Sequence, residues 1–474
     1  MGIPLQPFNV VDAKHAFAHS YNKVGENKGL PRIWLEGKGL ANANFVKGTF
    51  YKIQLIPESM ELVLTMVSTP DEDTRKVSGR KQPNGTVKPI IDLSFLDILT
   101  VTRGAERVRS DFHVNQIRIS VHHLERKRME REARLKANLS KGFVSHGVLC
   151  CGIGISAAAA HDAFHAAGIN LKTDFIIDRE QRYLECALQN NHTVTNNTKV
   201  FNGTLEEIEP SLLGHVDCLS FSLSCVGHGA SGKAKNKIEL AEEHPTDATG
   251  VFGLMRLVES TQPAILTSEN VIPAMKSATF ILLKKMLELL GYNVSEVCLD
   301  ASKTHSVENR PRYWFVATSK GLSKADLEKS FPTFKKHYHN LGEVLEPIPD
   351  ESDMWRDSAP KISKVMANKE KGHFFKFNQV TPNDATIGVC GRFYQKDRKT
   401  EPHLTRADGK YRLLTTGELS RCQHVPQHLI HNTSANTAYE GLGQGIDYRQ
   451  GLGVYCVVFK DVLRPIIQEL AKAA

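Results

Sequence analysis

Two glycines, an aspartate, a cysteine, a glutamate and two arginines stand in this sequence where apolar runs give way to polar loops. Cys150-Cys151-Gly152-Ile153-Gly154 follows the apolar residues 144–149 and precedes an alanine-rich stretch. Glycines at such a turn let the backbone approach a ligand closely, and the first amides of a following helix suit an anionic or polar group. A tight turn needs glycine in any case, so Gly152 and Gly154 inform only with a partner. Asp178, which ends Phe175-Ile176-Ile177, is one: a carboxylate there can accept both hydroxyls of a ribose. Cys225 follows the apolar residues 216–221, Glu269 lies in Ser268-Glu269-Asn270-Val271, and Glu308-Asn309-Arg310-Pro311-Arg312 precedes Tyr313. Alone, Cys225 reads as a structural thiol. With a carboxyl and two guanidinium groups on the same rim, it belongs to a set suited to covalent catalysis by a thiolate.

These residues need strand ends to carry them. Residues 144–149, 173–177, 216–221, 264–267 and 313–317 read as strands, and 157–167, 182–189 and 274–290 as helices. Strands alternating with helices predict an α/β fold with a doubly wound, mostly parallel sheet, whose carboxyl edge binds ligands. Residues 319–411 lose this rhythm and read as an inserted domain with clustered aromatics. Helical pattern returns at 412, and 454–459 reads as a last strand. The catalytic body is therefore expected at 144–318 and 412–474, with the insertion between.

Residues 1–121 are rich in short β-like runs, at 50–56, 61–67, 98–102 and 116–121, separated by turn signals such as Pro57-Glu58-Ser59 and Pro83-Asn84-Gly85. Val77-Ser78-Gly79-Arg80 with Pro89 to Leu93, and Lys47 to Ile53 with Leu62 to Thr65, resemble small swapped-hairpin β-barrels of the AbrB/SymE type. Residues 122–143 are charge-dense, with Arg126, Lys127, Arg128, Arg131, Arg134 and Lys136, and predict a basic helix. Such a helix is first a solvated linker; phosphate contact is the alternative.

The 474 residues include 41% apolar and 24% charged positions, as expected of a globular chain of two or three domains. A net charge of +8 suits polyanions without proving one. The nine scattered cysteines include no Cys-x-x-Cys pair and read as reduced thiols of a cytoplasmic protein. No apolar run is long enough to cross a bilayer, and Gly2 to Val10 has no secretory character. His161 with His165, and His424 with His428, have one-turn spacing. Neither pair has a cysteine pair or acidic helix motif beside it, so ordinary histidines and no metal are expected.

The ordered series resembles the DNA cytosine-5 methyltransferases over about residues 145–474. That family carries a Gly-x-Gly loop, a ribose acid, a Pro-Cys nucleophile loop, Glu-Asn-Val and Gln-x-Arg-x-Arg. Arg412-Leu413-Leu414-Thr415, Glu418, Arg421-Cys422-Gln423 and Pro426 look like its Arg-x-Leu-Thr-x-x-Glu-x-x-Arg-x-Gln segment, and Tyr439 to Ile446 looks like its final Gly-Asn motif. Ala385-Thr386-Ile387 and Phe393 to Lys396 resemble the end of its target-recognition region. The resemblance implies a class I methyltransferase fold, S-adenosylmethionine as donor and double-stranded DNA as substrate. It also implies a bacterial, phage-encoded or nucleoid-associated setting.

Carbon 5 of cytosine is too weak a nucleophile to take a methyl group unaided. By resemblance, Cys225 adds to carbon 6 of a flipped cytosine, Glu269 holds ring nitrogen 3 and the exocyclic amine, and Arg312 grips the base carbonyl or orients Glu269, with Arg310 supporting. Cofactor binding falls to Gly152, Gly154, Asp178, Thr204, Leu205, Ser224 and Gln444. Six positions depart from the family pattern. Ser224 replaces the proline before the nucleophile, Val226 the glutamine after it, and Cys150 an aromatic. Thr204 replaces an acid, Glu308 the first glutamine, and Gln444 the final asparagine. Because the thiol, Glu269 and both arginines remain, an active enzyme with an altered pocket is expected; a modified donor or pyrimidine, admitted by the changes at Ser224 and Gln444, is an alternative. An RNA cytosine methyltransferase and a DNA-binding regulator with a silent methyltransferase body are the competing readings.

Overall fold

The computed structural model describes residues 15–224, 241–243, 249–370 and 376–473. It divides into two compact units, Met1–Met129 and Glu130–Ala474, and the division falls inside the helix His123–Leu139.

Among the described residues, the first unit is built on nine antiparallel strands. Phe50–Ile56, Glu61–Val67 and Gln116–Val121 have the bounds expected from their composition. The strand Ala18–Asn27 serves two neighbours, pairing first with Arg107–His113 and then with Leu30–Glu36. The sheet therefore bends around a core that includes Ile33, Leu35, Tyr51, Leu64, Leu93 and Ile117. Residues 98–102 are a correction: Ile98–Thr102 is one helical turn, not a strand. Its buried residues, Ile98, Val101 and Thr102, follow helical spacing, and their β-branched composition hid that period.

The second unit is organised by seven strands: β1 (Phe143–Leu149), β2 (Asn170–Asp178), β3 (Lys199–Asn202), β4 (Cys218–Phe221), β5 (Ile265–Asn270), β6 (Tyr292–Leu299) and β7 (Arg312–Ser319). Their order is β3-β2-β1-β4-β5-β7-β6, and only β7 runs against its neighbours. Helices cover the sheet: α1 (Ile155–Ala166), α2 (Gln181–Asn190), α3 (Gly250–Thr261) and α4 (Ala278–Leu289). The alanines of α1 favour helix and are small enough to lie flat in the core, where Ala157 to Ala160 are buried. The expected helix at 274–290 is divided at Ser277, whose hydroxyl caps α4 by accepting from the Phe280 N–H.

Two expectations fail here. The apolar run 454–459 is helical: α7 (Tyr448–Val457) continues through a π-helical segment, Val458–Leu463, into Arg464–Ala473. Asp447 starts it by accepting from the Arg449 and Gln450 amides. The run is buried on several sides, so it shows neither strand nor surface-helix periodicity. The basic helix is not simply solvated either. Arg131 is fully buried, donating to Ser319 Oγ (2.9 Å) and the Gly291 carbonyl (2.8 Å) and lying 3.7 Å from the centre of the Tyr292 ring. Arg134 donates to the Val216 carbonyl (2.8 Å). These contacts lie at the sheet edge opposite the carboxyl ends, so neither arginine is available to phosphate.

The inserted region contains a four-stranded sheet, Arg356–Asp357, Lys410–Arg412, His403–Thr405 and Gln379–Val380 in that order. A β-bridge between Glu308 and Ile387 is one of its ties to the main body. After it come α5 (Thr416–Cys422) and α6 (Ala435–Gln444). No helix among the described residues is long and apolar enough to cross a membrane.

Candidate active site

The strand order reverses between β1 and β4, which opens a crevice at their carboxyl ends. On the β3-β2-β1 side, Cys150, Gly152 and Gly154 all have positive φ (54°, 54° and 83°) and turn the chain sharply into α1. A Cβ on Gly154 would fall 2.2 Å from Asn191 Nδ2, the group that donates to the Gly154 carbonyl at 2.8 Å. A Cβ on Gly152 would meet nothing within 4 Å. The turn is thus supported behind Gly154 and open in front of Gly152.

Asp178 joins this turn to the ends of β2 and β3. Its Oδ2 accepts from the Gly152 N–H (2.8 Å) and its Oδ1 from the Glu180 N–H (2.9 Å), while its carbonyl accepts from the Gly203 N–H (3.1 Å). Burial pushes the Asp178 carboxyl up from the ordinary aspartate range, and the two amides pull against it. Each carboxylate oxygen keeps acceptor capacity beyond these bonds. Thr204 and Leu205 follow at the end of β3. The Thr204 amide is taken by Glu207 Oε2 (2.8 Å), and Leu205 is buried. An open glycine turn, an acceptor able to take hydroxyls and an apolar neighbour fit the ribose and base of S-adenosylmethionine.

On the β4-β5-β7 side the acid and one arginine meet. Arg312 Nε lies 2.7 Å from Glu269 Oε1. The antiparallel course of β7 makes this possible, because its first residue lies beside the last residues of β5: Glu269 pairs with Trp314 and Asn270 with Tyr313. Both residues are nearly buried. Ser222 Oγ is 3.0 Å from Glu269 Oε2, and Asn270 Nδ2 donates to the Leu223 carbonyl (2.8 Å). The strand end leading toward Cys225 is therefore fastened to Glu269-Asn270 at two successive residues. Cys225 itself lies outside the described residues. Ser224, the last described residue before it, is half-buried.

Arg310 is placed differently. It is fully buried and donates to Glu308 Oε1 (2.8 Å), to the carbonyls of Gly443 (2.6 Å) and Gly445 (2.9 Å), and to that of Cys390 (3.3 Å). Gln444, the exposed last residue of α6, thus sits between two carbonyls that Arg310 holds. Glu308 also accepts from Gln423 Nε2 (2.6 Å) and the Cys390 N–H (3.2 Å). A carboxylate at 308 is accounted for: it faces a guanidinium, an amide and a backbone N–H. Arg412 and Glu418 form a second buried pair with two 2.6 Å bonds, and Glu418 closes a capping box with Thr415.

Sequence reasoning gave no role to three positioning residues. Ser222 had no signal at all, being one serine between apolar positions. Asn270 stood inside the Glu269-Asn270-Val271 motif, and only the geometry shows what its amide holds. Asn191 is distant in sequence from the glycine turn it supports.

A family model for C-5 cytosine-specific DNA methylase matches residues 147–448. The chain is 24% identical over 254 residues to type II methyltransferase M.MspI of Moraxella sp, covering 52% of this chain and 56% of that protein. It is 25% identical over 254 residues to type II methyltransferase M.SsoII of Shigella sonnei, covering 52% of this chain and 64% of that protein. Each alignment thus spans less than two thirds of the relative. Among solved structures, S. pombe Dnmt2 methyltransferase superposes with a TM-score of 0.52 at 15% identity, over 67% of this chain and 98% of that one, a likeness of fold.

Proposed function

Because the chain belongs to the C-5 cytosine-specific DNA methylase family, we propose that it methylates carbon 5 of cytosine in double-stranded DNA. The observation that carries the proposal is the Glu269 carboxyl, held by Arg312 Nε on one oxygen and by Ser222 Oγ on the other, beside the strand end that leads to Cys225.

In this reading the cytosine leaves the duplex and enters between the ends of β4, β5 and β7. The Cys225 thiolate adds to carbon 6, and the electron pair moves through carbon 5 into the ring. Glu269 faces nitrogen 3 and the exocyclic amine and stabilises the ring as that charge develops. Arg312 fixes the orientation of Glu269. Ser222 and Asn270 are positioning residues that keep the nucleophile segment in register with the acid. S-adenosylmethionine, the family's donor, supplies an electrophilic methyl group when bound at Gly152, Gly154, Asp178, Thr204, Leu205, Ser224 and Gln444. Once carbon 5 carries the methyl group, which would leave the donor as its neutral thioether, loss of the carbon 5 proton to a solvent base expels the Cys225 sulfur from carbon 6 as the thiolate. Arg310 serves by holding the Gly443 to Gly445 backbone, so its part is positional. The inserted region reads base edges, with the exposed Lys396 and Arg398 adding charge for phosphate, and the N-terminal unit adds DNA affinity.

Sequencing of methylation in DNA from cells expressing the chain tests this. Modified cytosine at one short recurrent sequence is expected, and 5-methylcytosine by nucleoside mass spectrometry. Transfer to transfer RNA with none to duplex DNA would overturn the DNA assignment. A heavier modified pyrimidine would instead trace to the altered positions Ser224 and Gln444.

A further inference from the structure

The strongest feature outside the crevice is a cluster of imidazoles behind the glycine turn. His161 and Asp162 lie on α1, and His192 lies in the loop after α2. His192 Nε2 is 2.9 Å from His161 Nδ1, His161 Nδ1 is 3.2 Å from Asp162 Oδ1, and His192 Nε2 is 3.6 Å from Asp162 Oδ1. We propose that His161, Asp162 and His192 form a binding site for one divalent transition-metal ion of the zinc class, clamping α1 to the loop that follows α2.

The distances carry the argument. Metal–ligand bonds of roughly 2.0–2.1 Å in a tetrahedron set the ligand atoms about 3.3–3.4 Å apart. The three separations bracket that value, so an ion enters with shifts of a few tenths of an ångström. Among the described residues, this is the group of three histidine, cysteine or acidic side chains with such convergence. Without an ion the close imidazole contact needs one hydrogen between the two nitrogens; on binding, a neutral ring moves it to its other nitrogen, or an imidazolium releases it, and both facing nitrogens become ligands.

The chemistry selects the class of metal. Two imidazoles and one carboxylate suit zinc, cobalt, nickel or copper, whereas calcium and magnesium take oxygen ligands. The second carboxylate oxygen of Asp162 accepts from the Tyr448 hydroxyl, which fixes the rotation of the carboxylate. The His165 ring stacks on His161 at 5.5 Å, and the His428 ring lies 5.7 Å from His192. The one-turn spacing of His161 and His165 gave no metal reading from sequence because His192 comes from another element. The three ligand side chains keep 22–41% of their surface exposed, so an ion can enter and water can complete its shell. Asn191, next to His192, donates to the carbonyl of Gly154, where α1 begins. An ion here would stiffen the support behind that turn.

The full chain, stripped of metal, is titrated with Co²⁺ as a spectroscopic probe, followed by Zn²⁺ in competition. One equivalent of Co²⁺ is expected to give the intense visible bands of a four-coordinate site, to yield to Zn²⁺, and to raise the melting temperature. His161→Ala and His192→Ala should each lower affinity by about a hundredfold, and Tyr448→Phe by about tenfold. His192 is on an exposed loop, so its variant tests binding in a folded chain even where His161→Ala is unstable. Absence of a bound equivalent overturns the proposal. So does unchanged binding in His192→Ala, which would place the ion elsewhere, as on the cysteines.

Discussion

Arg310 and Arg312 flank one proline, and each binds a glutamate, yet the surroundings of the two pairs differ throughout. Arg310 and Glu308 have no exposed side-chain surface, and both are surrounded by further bonds from Gln423, Cys390, Gly443 and Gly445. Arg312 and Glu269 keep a small opening, 11% and 8% of their side chains, at the carboxyl edge of the sheet. A buried ion pair is weak evidence of stability, because desolvation offsets its attraction, whereas removing one partner strands a charge. The first pair therefore acts as a fixed joint among the return segment, the insertion and β7. The second has the access and orientation needed to meet a substrate. A shared motif spaces two arginines evenly; what each does depends on which side of the chain faces the crevice.

The comparison breaks most visibly at Arg310. Arg310→Ala leaves Glu308 buried without its cation and is expected to cost about 3–5 kcal/mol of stability, read from urea unfolding. If it lowered activity alone, the two pairs would not differ as described. Glu269→Gln should do the reverse, reducing kcat by about 10²–10³ while the unfolding midpoint moves far less than in Arg310→Ala. A third outcome concerns the sheet interior. Burial holds His146 neutral, with its pKa pulled down to about 3, while the unfolded chain titrates near 6.5. Its contribution is full above about pH 6.5 and is lost as pH falls toward 3, by roughly 2 kcal/mol at pH 5. His146→Gln should remove that part of the acid slope, measured as stability against pH. The smallest effect belongs to Asp178→Asn, expected to raise KM for S-adenosylmethionine about tenfold, near 1.4 kcal/mol, with kcat less affected.

Much of this was legible in the sequence where one element carries one signal. β1, β2, β5 and β7 appeared as apolar runs, and Glu269, Arg312 and Asp178 as polar residues at their ends. The pairing of Glu269 with Arg312 was less direct: it needs β7 to run antiparallel, and a strand's composition does not give its direction. The run at 454–459 was misread because a helix buried on several sides loses its period. Arg131 and Arg134 looked like solvent or phosphate contacts because charge in a sequence does not show which carbonyls it will face. Ser222 and Asn191 act only through neighbours brought near by the fold. Cys225 remains a sequence assignment, since it lies outside the described residues.

In the proposed reaction the Cys225 sulfur bonds to carbon 6 of cytosine. This is tested by incubating the chain and S-adenosylmethionine with duplex DNA carrying 5-fluorocytosine at the methylated position. Fluorine at carbon 5 cannot leave as a proton does, so a covalent protein–DNA complex that survives denaturant should accumulate with the unaltered chain and be absent with Cys225→Ser. Equal trapping by Cys225→Ser, or no trapping by a chain that methylates ordinary DNA, would contradict the account.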